Sequence, residues 1–133
     1  MIEGDHGSFF CHPLSDNIAA AVDCLLRLQS QKGGDALVGR RLYPLLSSCG
    51  FDQVEVSPRN VYAATLRPDV VSGFSEKTFI AIVAGIREEA IASGCNSKEK
   101  WHKAMADLNR TVGQKETFCY TFFKAVGRKW MTG

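Results

Sequence analysis

The segment Thr117-Phe118-Cys119-Tyr120-Thr121-Phe122-Phe123 places aromatic residues on both of its alternating faces. A strand of that kind belongs inside a sheet and not on its rim, because both faces are apolar and an exposed edge would invite pairing with other chains. It needs a neighbour on each side. With 133 residues in all, the chain is about the size of one ordinary domain and long enough to bury a core.

Upstream, Ser15 predicts a helix N-cap with Asp16 in the first turn and a stop at Gly33-Gly34, leaving Ile18, Val22, Leu25 and Leu28 as one buried stripe. A second helix is expected over Ala36 to Cys49, introduced by Asp35 and closed by Gly50, with Pro44 kinking it or marking its true first turn. The alternation Val54, Val56 against Glu55, Ser57 reads as a strand that Pro58 ends or bends before Val61 and Tyr62 resume it.

Pro68 to Val71 suit one short helical turn. Ser75 then caps a helix carrying Phe79, Ile82, Val83, Ile86 and Ala90 as far as Gly94, and Ser97 caps another carrying Trp101, Met105, Leu108 and Val112 as far as Gly113. Met1 to Asp5 looks like the end of a short strand running into a loop, and Arg128 to Gly133 like a frayed tail. Without a repeat or a linker, one domain over 1–133 is the expectation.

Taken in order, "IEGDHGS", "GGDALVGRRLYPLLSSCGF", "VEVSPRNVYAATLRPDVVSGF", the helical pair and "TFCYTFFKAVG" resemble the C-terminal part of class I S-adenosylmethionine-dependent methyltransferases. The resemblance covers nearly the whole chain. It implies an α/β fold, α+β within this piece: a partial Rossmann-like sheet of about three strands with flanking helices. The last strand would lie antiparallel between the other two, and 68–113 would be a helical insertion like a substrate cap.

The same resemblance locates what the chain lacks, a glycine-rich turn opening a helix after a first strand and an acidic residue for the ribose hydroxyls. Gly4 and Gly7 are followed by Phe9, Phe10 and Pro13, and Gly33-Gly34 ends a helix. No cofactor is therefore expected on this chain alone, S-adenosylmethionine being bound by the intact family. The expected role is the substrate side of a methyltransferase separated from its cofactor half by truncation or a split gene, not catalytic by itself. The alternative is a non-catalytic dimerisation or interaction module.

Asp5 and His6, expected just past a strand's carboxyl end, are the first candidates for a substrate pocket. Arg40 could meet an anionic acceptor, and Tyr62 could line the pocket of a small-molecule acceptor. Structural zinc takes four ligands, and His6, Cys11 and His12 have no Cys-x-x-Cys or fourth partner, so no metal is expected. A net charge of +2 without a clustered basic face argues against nucleic acid. No apolar run reaches the ~18 to 20 residues of a membrane helix, and no signal segment opens the chain. A cytoplasmic protein with reduced thiols at its five cysteines is expected. Its partner would be a second copy or a separate cofactor-binding chain, recruited through an exposed sheet edge.

Overall fold

The computed structural model describes residues 1–63, 74–111 and 116–129. Within them lie β1 (Ile2–His12), α1 (Asp16–Gln31), a 3-10 turn (Val38–Arg41), α2 (Leu42–Ser48), β2 (Phe51–Ala63), α3 (Phe74–Gly85), α4 (Arg87–Ala92), α5 (Lys98–Arg110) and β3 (Thr117–Lys129). The strands form an antiparallel sheet in the order β1-β3-β2. The aromatic strand thus has a neighbour on each edge. The fold is mixed α/β, with helices on both faces of an open sheet.

Alternation along β3 divides the core. Phe118, Tyr120 and Phe122 point to one face, where they meet Ile18, Cys24 and Leu25 of α1, Phe79 and Val83 of α3, and Trp101 and Leu108 of α5. Helices α3 to α5 therefore contribute to the same core as α1. The opposite face carries Phe123 and buried Ala125, covered by the 3-10 turn and α2.

Local chemistry accounts for most boundaries. The Ser15 hydroxyl accepts from the Ile18 amide at 3.1 Å and donates to the Asp107 carboxylate at 2.7 Å, so the cap of α1 also ties it to α5. Ser97 caps α5 through the Lys100 amide at 3.2 Å. Pro44 falls in the first turn of α2, where its missing donor costs nothing. Gly50 turns the chain towards β2 at φ +84°, a conformation that strains residues with a Cβ.

Several expectations need correction. Instead of ending near Asp5, β1 runs on to His12: its pairing with β3 lapses after Asp5 and resumes at Phe10, where Phe10 and Cys11 face Cys119 and Phe118. Pro58 does not end β2, because β2 is an outer strand and a proline can direct its missing N–H away from the sheet. The helix expected up to Gly94 is broken at Ile86 into α3 and α4. Arg128 and Lys129 are not a frayed tail but pair with Asp52 and Phe51. The turn at Pro68 to Val71 and the Val112-Gly113 end lie outside the described residues, as does the side chain of Ser75, whose backbone falls within α3.

The thiols are corrected too. Cys24 of α1 is bonded to Cys95 in the turn after α4, with Cα atoms 6.0 Å apart and a sequence separation of 71. Cys11, Cys49 and Cys119 are free. Among the described residues no helix is long and apolar enough to cross a membrane. A cross-link of this span contributes about 2–4 kcal/mol by restricting the unfolded chain. Thiol titration of the denatured, unreduced protein is expected to find three reactive cysteines, and Cys95→Ser to lower the urea midpoint by a corresponding amount. Five reactive thiols, or no change in midpoint, would contradict the bond.

Candidate functional site

The break in β1 gathers most of the expected site into one place. Side chains alternate across a strand, so Asp5 points with Thr121 to the face bearing the 3-10 turn, and Gly4 with Phe122 to the helical core. Asp5 is only 2% exposed. Arg40 reaches it from the 3-10 turn through two parallel bonds, Nε to Oδ2 at 2.6 Å and Nη2 to Oδ1 at 3.0 Å. The Gly7 amide adds a third at 2.9 Å. Burial of a carboxylate is tolerated when its oxygens are met in this way. The carboxylate reciprocally holds the Arg40 guanidinium above its usual pKa.

His6 turns to the other face. Its Nδ1 lies 2.6 Å from the Tyr120 hydroxyl, and its backbone N–H donates outwards to the Ala36 carbonyl at 2.9 Å. Burial pushes the imidazole below its ordinary pKa, partly opposed by the Asp5 charge. Burial, and then the same charge, push the Tyr120 phenol up. Both groups are neutral near pH 7. Either the phenol donates to Nδ1, or Nδ1–H donates to the phenol oxygen, and the second ring nitrogen is correspondingly a donor or an acceptor.

Gly4 and Ser8 complete the arrangement. A Cβ on Gly4 would collide with the Tyr120 hydroxyl, so only glycine leaves room for the His6–Tyr120 pair. The Ser8 hydroxyl donates to the Asp5 carbonyl at 2.6 Å and accepts from the Thr121 amide at 2.9 Å, replacing ladder bonds lost at the break. Each side chain of Asp5-His6-Gly7-Ser8, or the lack of one, has a local task.

Beside His6 is a cavity of about 130 Å³ lined by Gly4, His6, Thr78, Phe79, Ile82, Tyr120 and Phe122. A more polar cleft of about 350 Å³ shares Gly4 and His6 with it and extends past Lys32 and Asp35. The arrangement can hold a small, mostly apolar molecule and exchange one hydrogen bond with it at His6.

Asp5, His6 and Arg40 thus come together, but inside a strand and not beyond its end. Arg40 is held by Asp5 instead of being presented to an anionic acceptor. Tyr62 does not join them: it sits across from Cys119, on the face opposite the cavity, and is 55% exposed. Tyr120 was missed as a site residue because the aromatic run signals burial, and only the position of β1 shows that its hydroxyl meets a histidine. Cys11 is buried in the core, its thiol pushed up to about 11 by burial and the Asp107 charge. Among the described residues no three His, Cys, Asp or Glu side chains are grouped as a metal site. The sequence matches no protein-family model and no curated protein.

Removing Arg40 leaves the Asp5 charge buried with one amide donor. Arg40→Ala is expected to cost about 2 kcal/mol, at the lower end for a buried pair because half of the Arg40 side chain remains in water. Arg40→Lys should recover only part, since an ammonium cannot make the two parallel bonds. Equal urea midpoints for wild type and Arg40→Ala would refute a structural role for the pair.

His6 makes stability depend on pH with a definite sign. Its folded pKa lies below the unfolded value of about 6.5, so the unfolded chain takes up the proton first. The contribution is complete above pH 6.5 and is lost as pH falls through that value towards the folded pKa. The urea midpoint of wild type should therefore fall more between pH 8 and pH 5 than that of His6→Gln. Parallel profiles would show that the imidazole pKa is not displaced.

Proposed function

We propose that this chain is the substrate side of an S-adenosylmethionine-dependent methyltransferase, seating the methyl acceptor at His6 and Tyr120 and not transferring methyl groups alone. The observation that carries this reading is the apolar cavity at Gly4, His6 and Tyr120, built where β1 borders β3 in a sheet open at its outer strands. The strand order agrees with the resemblance, β3 running antiparallel between β1 and β2. In such a reaction the acceptor must be held in line with the methyl group, and a base is required only if the acceptor carries a proton. Neutral His6 would meet the second requirement in the tautomer whose Nδ1–H donates to Tyr120 and leaves Nε2 to accept a proton, and the aromatic walls would hold the acceptor in place.

A second reading, a homodimerising interaction module, is favoured by another observation. Phe10 and Tyr62 flank Cys119 across the sheet on the face opposite the main core, and they are 50% and 55% exposed. An aromatic row of this kind is suited to a second copy. The Ala36 carbonyl already takes one outward group of β1, so this row offers a better contact than that edge. A cytoplasmic setting would go with the reduced form of Cys24 and Cys95, and an oxidising compartment with the bonded form.

Calorimetric titration of S-adenosylhomocysteine, with light scattering in the same buffer, tests both readings. A folded dimer that takes up no S-adenosylhomocysteine is expected, together with dissociation on Tyr62→Ser. Saturable uptake would replace the substrate-side reading with a methyltransferase that holds its own cofactor, and a monomer at high concentration would remove the dimer. In a longer protein with the same sequence patterns behind a glycine-rich turn, replacing the His6 counterpart by alanine should reduce methyl transfer at least tenfold. Unchanged transfer would remove the histidine from the acceptor site.

A further inference from the structure

We infer that the cavity beside His6 is a seat for one uncharged six-membered aromatic ring bearing a hydroxyl or ring N–H, with phenol as the simplest member of the class. This deepens the acceptor-side reading and rests on it for the ligand's role. The seat itself rests on the size, walls and polarity of the cavity.

Size sets the first limit. The space is about 130 Å³, close to that of an apolar cavity of about 150 Å³ known to accept benzene. One ring fits within it and a fused pair does not. The walls set the second limit. Tyr120 lies 5.5 Å from Phe79 at 52° between ring planes, and 4.9 Å from Phe122 at 54°. Rings inclined in this way offer an inserted ring both faces and edges, the arrangements aromatic pairs prefer. Gly4 adds no side chain on the strand side, and Ile82 supplies an aliphatic surface.

Polarity decides the ligand's charge. Among the described residues, no charged side chain lines the cavity. Of the ions nearby, Asp5 and Arg40 satisfy each other on the opposite face of the sheet, and Lys32 and Asp35 line the adjoining cleft and not this cavity. A carboxylate or ammonium entering here would lose its water without meeting a counter-charge, whereas a neutral hydroxyl needs one partner. Tyr120 occupies Nδ1 of His6, leaving the second ring nitrogen for that bond.

Phenol titrated into the isotope-labelled 133-residue chain, followed by NMR without cofactor, tests the inference. The expected result is saturable shifts of the His6, Phe79 and Tyr120 ring signals, with benzoate binding at least tenfold more weakly than phenol. Ile82→Trp should fill the space and weaken phenol at least tenfold. If that variant does not fold, the comparison of phenol with benzoate on the wild-type chain decides alone. Shifts that do not saturate, or benzoate binding as tightly as phenol, would overturn the seat. Ring binding without transfer in any longer relative would remove only the methyltransferase reading. Methyl transfer to ringless acceptors, with phenol inert, would remove only the ring seat.

Discussion

The architecture depends on β3 being paired along both edges and packed on both faces. A strand with Phe118, Tyr120 and Phe122 on one side and Phe123 and Ala125 on the other is unstable in water, and each neighbour answers part of that demand. β1 and β2 satisfy its backbone. Helices α1, α3 and α5 cover the first face, while the 3-10 turn and α2 cover the end of the second. Those last two elements reach their place through the ion pair of Asp5 and Arg40, which connects the turn to β1.

The same requirement explains why the site forms at the break in β1. Between Asp5 and Phe10 the ladder to β3 is interrupted, and backbone groups there need other partners. Ser8 supplies them with its hydroxyl, and the Gly7 amide turns to the Asp5 carboxylate. Irregular strands often redirect side chains at functional positions. Here the consequence is that two adjacent residues serve opposite faces: Asp5 anchors the covering turn while His6 reaches Tyr120.

Much of this organisation was legible in the sequence, because caps and periodicity are local. Ser15, Ser97 and the stripe of Ile18, Leu25 and Leu28 marked their helices, and the two-faced aromatic run indicated the central strand. What was not legible depended on distant partners. Met1 to Asp5 suggested a strand running into a loop, yet the bonds of Asp5 to Arg40 and of Ser8 to Thr121 hold the segment within a longer strand. Pro58 signalled an end or a bend before Val61 and Tyr62, but the strand runs through it with Pro58 opposite Phe123, as an outer strand allows. Cys24 was expected to be a reduced thiol because nothing in its own helix identifies Cys95 as its partner.

Asp5, His6 and Arg40 were chosen for their chemistry, and the fold brings Asp5 and Arg40 into contact while turning the adjacent His6 to the other face. A residue type states what a side chain can do, whereas its partner determines what remains available to a ligand. Arg40 has an anion-binding group but uses it on Asp5. Tyr120 has a core residue's burial, but its hydroxyl occupies one nitrogen of His6 and leaves the other. The pairing therefore reverses the simplest expectation: a sequence neighbourhood rich in Asp, His and Arg produces a nearly apolar cavity, because its charges are spent on the opposite face of the sheet. Any molecule recognised there is selected by shape and one hydrogen bond more than by charge.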